Sequence, residues 1–455
     1  MRLLARSVAG LSLAASIAAR IHIRSGALDP SLFAFAAKML GGAGSPVVGL
    51  AGVAAAVSGW RSRDPLGALA GGVAVLLSAG FIRSVTTPHQ GFERAFGPDW
   101  HAAIPPDLAR QFLPRRWNGC LRLPVQRPSW ANAVFSSVPG APGCDNRRLL
   151  CDLWEPPPGV PRSGLGVIYL HAGGWQNFAK DTGTRPFFSY LCRQGHVVMD
   201  VDYRMVPETD MAGMLADVKH AVVWLKDNAS RLGVDPSRVV LTGASAGGQL
   251  ALLAAYTPND PVLDPADVRP RDTAVRGVIA FYAPTDMLAY GAKPAHDWPS
   301  FVRLGRRIGI VQRDKYLTWP EIECRLFGAR AAEVPQRARL FSPIAHAGPA
   351  CPPTLLIHGA HDRVVPVADS RQMSEALRRH GVPSVFVGLP MIDHAFDLPL
   401  LRLSPPAQAA LYDVERFLGI MAGPSQFGSR SPALSRVRFN RTANGWPRSV
   451  PLDVP

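Results

Sequence analysis

The sequence predicts an α/β protein: a mostly parallel central sheet covered by helices, with a small cap insertion and an N-terminal transmembrane helical hairpin. Three observations predict it. Short apolar runs alternate with helical patterns between residues 146 and 422. Such alternation gives parallel strands whose crossover helices cover both faces. Two long uncharged stretches lie near the N-terminus, and a glycine-rich junction runs from a strand directly into a helix.

The elements follow in chain order. Residues 39–60, MLGGAGSPVVGLAGVAAAVSGW, are 22 residues without a charge. After RSRD, residues 65–82, PLGALAGGVAVLLSAGFI, are another 18 before the next charge. About 20 apolar residues cross a bilayer, and membrane helices tolerate glycine. The pair reads as a membrane hairpin, since two such helices in tandem before a complete soluble domain are hard to place in its core. Residues 7–19, SVAGLSLAASIAA, are short for a span. They read either as the apolar centre of a signal peptide or as an amphipathic surface helix with Leu4, Val8, Leu11 and Ala15 at helical spacing.

If the hairpin supplies the only spans, the N-terminus and the soluble domain share one side. Arg2, Arg6, Arg20, Arg24, Lys38, Arg83 and Arg94 flank it, against Arg61 and Arg63 in the connecting loop, which places that side in the cytoplasm. A third span or a cleaved signal over residues 7–19 places the domain outside instead.

Residues 86–145 hold many prolines and aromatics and little periodicity, as in a linker plus a segment packed on the domain that follows. The domain itself reads as residues 146–422. Strands are expected at 166–171, 196–203, 237–243, 275–284, 353–359 and 384–390. A helix containing Leu215, Val218, Val222 and Leu225, one opening at Ala246 and one over 369–380 separate several of them. The insertion at 286–342 carries Trp298, Phe301, Tyr316, Leu317 and Trp319, which suit either the wall of an acyl pocket or the core of a small cap. Residues 423–455 are polar and basic and read as a disordered tail.

The formal charge is +15, yet the basic residues are scattered, so no nucleic-acid partner is expected. The six cysteines show no C-x-x-C and no zinc spacing, and they are too few for a disulfide scaffold in so long a chain.

The junction holds the chemistry. GASAG places Ser245 between small residues just after one strand and just before a helix, where sheets of this kind bind ligands. Neither a dinucleotide nor a P-loop glycine pattern is present there. A serine nucleophile needs a base and an acid. HGAHDRVVP puts Asp362 past one strand end and MIDHAFD puts His394 past the next, in the order serine, acid, histidine. HAGGW follows the first central strand; the backbone N–H groups of Gly173 and Gly174, with that of Ala246, suit an oxyanion.

HAGGW, VDYR, GVDPSRVVLTGASAGG, HGAHDRVVP and DHAF, in this order, make residues 146–420 resemble the α/β-hydrolases. Within them the sequence is similar to the hormone-sensitive-lipase-like branch and to carboxylesterases of the feruloyl-esterase and kynurenine-formamidase type. The resemblance implies Ser245 as nucleophile, Asp362 as acid and His394 as base, with Gly173, Gly174 and Ala246 as oxyanion donors. Ala172 stands in place of the family's first glycine, and Ala244 where many lipase-like members carry an acid. The implied activity is hydrolysis of a small-molecule ester, a lipid among the candidates, through an acyl-enzyme and without metal or organic cofactor. Acyl transfer or amide hydrolysis on the same residues is the nearest alternative; a non-catalytic binding protein of the same fold is the other.

Overall fold

The computed structural model describes residues 2–21, 32–123, 126–139, 146–291, 317, 319–397 and 401–424. Its sheet is built from β1 (Trp130–Val138), β2 (Arg147–Trp154), β3 (Gly166–Leu170), β4 (Val197–Asp202), β5 (Val239–Ala244), β6 (Gly277–Phe281), β7 (Thr354–Gly359) and β8 (Ser384–Leu389). The spatial order is β1-β2-β4-β3-β5-β6-β7-β8. The first two pairings, β1 with β2 and β2 with β4, are antiparallel, and every other pairing is parallel. The six expected strands all form, most of them a residue or two shorter at one or both ends. The four central ones, β3, β5, β6 and β7, are buried at every position, so they read as unbroken apolar runs.

The two antiparallel strands were not expected, and β1 lies inside the segment read as a linker. Its burial alternates weakly and its register slips twice against β2, as suits an edge strand with few apolar residues to announce it.

Ahead of the sheet come α1 (Arg2–Ala18), α2 (Leu32–Ala43), α3 (Ser45–Arg61), α4 (Pro65–Thr86), α5 (Gly91–Phe96) and α6 (Pro106–Ala109). Within the domain are α7 (Arg185–Arg193), α8 (Met211–Asp227), α9 (Ala229–Leu232), α10 (Ala246–Tyr256), α11 (Met287–Gly291), α12 (Trp319–Phe327), α13 (Pro335–Leu340), α14 (Val367–Arg379) and α15 (Pro405–Ala422). Two apolar layers result. Leu215, Val222, Leu250, Leu253, Met373 and Leu377, from α8, α10 and α14, pack on one face of the sheet. Phe188 and Leu191 of α7, Val414 and Phe417 of α15, and Phe81 and Val85 of α4 pack on the other.

The N-terminal helices depart from the expected hairpin in two ways. The first expected span breaks at Gly44, between α2 and α3, where Pro46 sits in the first turn of α3 and has no N–H to give. Among the described residues, Pro65–Phe96, which holds α4, is the one stretch long and apolar enough to cross a membrane, its most apolar 18-residue window having mean hydropathy 1.9. Secondly, α1 joins the pair. Arg6 Nε donates to Asp64 Oδ2 at 2.8 Å, and Ser16 Oγ lies 3.0 Å from Ser78 Oγ and 3.3 Å from the Ala74 carbonyl, so α1 runs parallel to α4. Glycines let α3 and α4 touch backbone to backbone. A Cβ on Gly59 would stand 2.4 Å from the Ala68 nitrogen, and one on Gly71 would stand 2.6 Å from the Ala56 nitrogen.

Candidate active site

The strand β5 ends at Ala244 and α10 begins at Ala246, leaving Ser245 alone at the corner with φ 53° and ψ −119°. Positive φ is unfavourable for a residue with a side chain, and the surrounding structure must impose it. Here the Ser245 N–H donates to the Phe281 carbonyl at 2.9 Å. The flanking glycines are required by space. A Cβ on Gly243 would meet the Gly247 oxygen at 2.4 Å, and one on Gly247 would meet the Leu170 oxygen at 2.2 Å. The corner lifts the serine hydroxyl off the end of the sheet.

Two loops bring the expected acid and base to it. His394 Nε2 stands 3.1 Å from Ser245 Oγ, and His394 Nδ1 stands 2.8 Å from Asp362 Oδ2. An ionised carboxylate only accepts, so Nδ1 carries the imidazole proton and Nε2 is left to accept from the serine hydroxyl. Asp362 Oδ1 accepts from the N–H groups of Val364 and Val365 at 2.9 and 2.8 Å. Burial opposes ionisation of this carboxyl, but His394 and His358 outweigh it and hold it well below the usual carboxylate range.

The third group lies beside them because Leu170 of β3 pairs with Gly243 of β5, which puts the loop after β3 against the serine corner. Gly173 (φ 135°) and Gly174 (φ 60°) both use backbone conformations that side chains rarely adopt. A Cβ on Gly173 would stand 1.8 Å from the Asn177 oxygen. Ala246 is the first residue of α10, so its N–H has no acceptor within the helix. The six residues singled out from the sequence thus gather at the carboxyl ends of β3, β5, β7 and β8.

Comparison with known proteins follows the same outline. The BD-FAE family model matches residues 152–377. Esterase LipQ of Mycobacterium tuberculosis is 30% identical over 351 residues, 76% of this chain and 77% of that protein. The chain belongs to the α/β-hydrolase carboxylesterases. The probable carboxylic ester hydrolase LipM of the same organism is 31% identical over 287 residues, 62% of this chain and 61% of LipM. Thermogutta terrifontis esterase 2 superposes with a TM-score of 0.49 at 24% identity, covering 68% of this chain and 96% of that one. By its likeness to LipQ and LipM, the protein is a carboxylic ester hydrolase.

Several residues around the carboxylesterase site escaped sequence reasoning. His358 Nε2 lies 3.2 Å from Asp362 Oδ2 and 2.9 Å from the Val365 carbonyl, while its Nδ1 lies 2.8 Å from Ser370 Oγ. The Tyr282 ring stands 4.4 Å from the His394 ring, and its hydroxyl donates to Asp397. Burial and Asp397 push that phenol well up, so it stays a neutral donor. Gln249 of α10 accepts from Trp175 Nε1 at 3.1 Å and donates to the Phe341 carbonyl at 2.9 Å, tying HAGGW to the helix that Ser245 caps. Tyr203 donates to the His171 carbonyl at 2.8 Å, which gives the quoted VDYR stretch a structural task.

Of the cap residues named from the sequence, Trp298, Phe301 and Tyr316 lie outside the described residues. Leu317 exchanges two hydrogen bonds with the Gln176 side chain, at 3.0 and 3.3 Å. Trp319 packs its ring 4.9 Å from Tyr290 and 5.9 Å from Trp175. Tyr290 and Trp319 thus pack as an aromatic cluster on Trp175 of HAGGW. Among the described residues no cluster of His, Cys, Asp or Glu is disposed to hold a metal ion.

Proposed function

We propose that the esterase works as a serine hydrolase, through an acyl-enzyme formed on Ser245, at a membrane surface. The observation that carries this reading is the unbroken hydrogen-bonded line from Asp362 through His394 to Ser245. In the first step His394 Nε2 takes the serine proton as Oγ attacks the ester carbonyl. The oxyanion lies on the N–H groups of Gly173, Gly174 and Ala246, which are fixed before substrate arrives and cost no reorganisation. Asp362 holds the imidazole in the required tautomer and offsets its positive charge. The imidazolium then protonates the departing alcohol. Water repeats the sequence on the acyl-enzyme and releases the acid.

The surroundings support a substrate class. The aromatic wall of Trp175, Tyr290 and Trp319 favours an apolar acyl group of short to medium length, and lipid esters fit a membrane setting. Support for that setting comes from the bundle, in which large apolar side chains point outward: Leu50, Leu69 and Leu76 are 65–73% exposed and Trp60 is 83% exposed. With α1 parallel to α4, Arg2, Arg6, Arg61 and Arg63 gather at the end remote from the domain, and Arg20, Lys38, Arg83 and Arg94 lie toward the near end. Among the described residues, with Arg24 outside them, the charge imbalance that favoured a cytoplasmic domain disappears on this count, and a crossing by α1, α3 and α4 would place the N-terminus and the catalytic domain on opposite sides.

Full-length enzyme in detergent should hydrolyse p-nitrophenyl esters of short and medium chain and label with a fluorophosphonate at Ser245. Absence of labelling in an active preparation would refute the serine mechanism. Alkaline phosphatase fused after residue 90 and, separately, before residue 2 tests the crossing, since one fusion of the two should be active; equal behaviour of both would overturn it.

A further inference from the structure

The charged side chain of Lys38 carries the N-terminal bundle to the catalytic loops. Lys38 of α2 is buried, with its side chain 2% exposed, and its Nζ lies 3.9 Å from Asp393 Oδ2 and 3.3 Å from His361 Nδ1. His361 directly precedes the acid Asp362, and Asp393 directly precedes the base His394.

Asp393 is itself a clasp between the two loops. Its Oδ1 accepts from the N–H of Arg363 at 3.1 Å and from the N–H of His394 at 2.9 Å, and its Oδ2 accepts from Arg363 Nε at 2.8 Å. The His361 N–H donates to the Ile392 carbonyl at 2.8 Å, closing the same seam. A buried carboxylate in this position needs compensation, and within the seam Arg363 of the sheet domain supplies part of it. The second cation comes from the bundle.

We propose that Lys38 is a positioning residue for hydrolysis: docked from the N-terminal bundle, it pins Asp393, and through Asp393 it fixes the acid and base loops at their reacting distances. The enzyme's turnover is thereby tied to the seating of its bundle. The proposal rests on the serine-hydrolase reading above, because it gives Lys38 a task only if Asp362 and His394 are the acid and base.

The test uses the full chain in detergent micelles. Wild-type labelling at Ser245 and its loss of turnover on Ser245→Ala check the underlying reading first. Lys38→Met, Lys38→Arg, Asp393→Asn and the Lys38→Met/Asp393→Asn double variant are then compared by kcat and KM, with rates normalised to the fluorophosphonate-labelled fraction. Small displacements of a catalytic group cost up to about a hundredfold, so Lys38→Met should lower kcat by roughly ten- to a hundredfold with KM nearly unchanged. Lys38→Arg should recover most of the loss. Because Lys38 acts through Asp393, the double variant should be no slower than Asp393→Asn alone. An unchanged kcat in Lys38→Met, a loss confined to the labelled fraction, or multiplying losses in the double variant would each overturn the proposal while leaving the serine mechanism intact.

Discussion

In the bundle, Gly52, Gly59, Gly71, Ala74 and Ser78 face inward while Leu50, Trp60, Leu69 and Leu76 face outward. In the sheet domain the sense is reversed, with Trp154, Ile168, Leu241, Leu253 and Phe417 all within 1% of complete burial. Water rewards hiding large apolar side chains, and the sheet domain does so. Lipid gives no such reward; helices in it associate by close backbone approach over small residues. The contrast teaches that apolar content identifies neither region, whereas the direction in which the large side chains point separates the bundle from the sheet domain, and an outward apolar face is what the proposed membrane setting requires.

The sharpest way to test this division is to damage one region and measure the other. The largest expected effect is on chemistry alone: Ser245→Ala should cut kcat by about a million-fold, while sedimentation with membranes is unchanged. Retention of more than a few per cent of activity would end the assignment of Ser245. Next, Asp362→Asn should lower kcat by roughly a thousand- to ten-thousandfold, since the imidazole loses both its tautomer and its counter-charge. Equal damage from Asp397→Asn with an unaffected Asp362→Asn enzyme would move the acid elsewhere.

A smaller loss is expected at the oxyanion loop. Gly174→Pro removes one N–H and should cost about 2.7–4 kcal/mol of transition-state stabilisation, read as kcat/KM beside an independent measure of substrate binding. A near-native rate would remove Gly174 from the site. The smallest effect belongs to the bundle. Leu76→Lys puts a charge on the outward face of α4; in a bilayer it should cost about 2.5–3.5 kcal/mol and shift protein into the carbonate-soluble fraction. In detergent its kcat should match wild type. If Leu76→Lys leaves membrane retention untouched, the outward face meets water and the comparison fails.

Much of this protein was legible in the chain. The buried strands announce themselves because parallel strands are apolar on both faces, and the serine corner because only glycine fits at Gly243 and Gly247. Order along the chain was enough to single out Ser245, Asp362 and His394 as candidates, since each follows a strand whose end must lie near the others in a parallel sheet. The edge strand β1 stayed hidden because half-exposed residues leave no apolar run.

Contacts between elements distant in sequence were decided by tertiary structure alone. His358 looks like an ordinary strand residue until the turn at Val365 brings a carbonyl to it. Nothing local to Lys38 shows that it meets Asp393, 355 positions later, or that α1 lies beside α4. Sequence patterns record which face of an element is apolar, because burial repeats with the period of the backbone. They do not record a single polar partner across the fold, because one hydrogen bond or ion pair imposes no period at all.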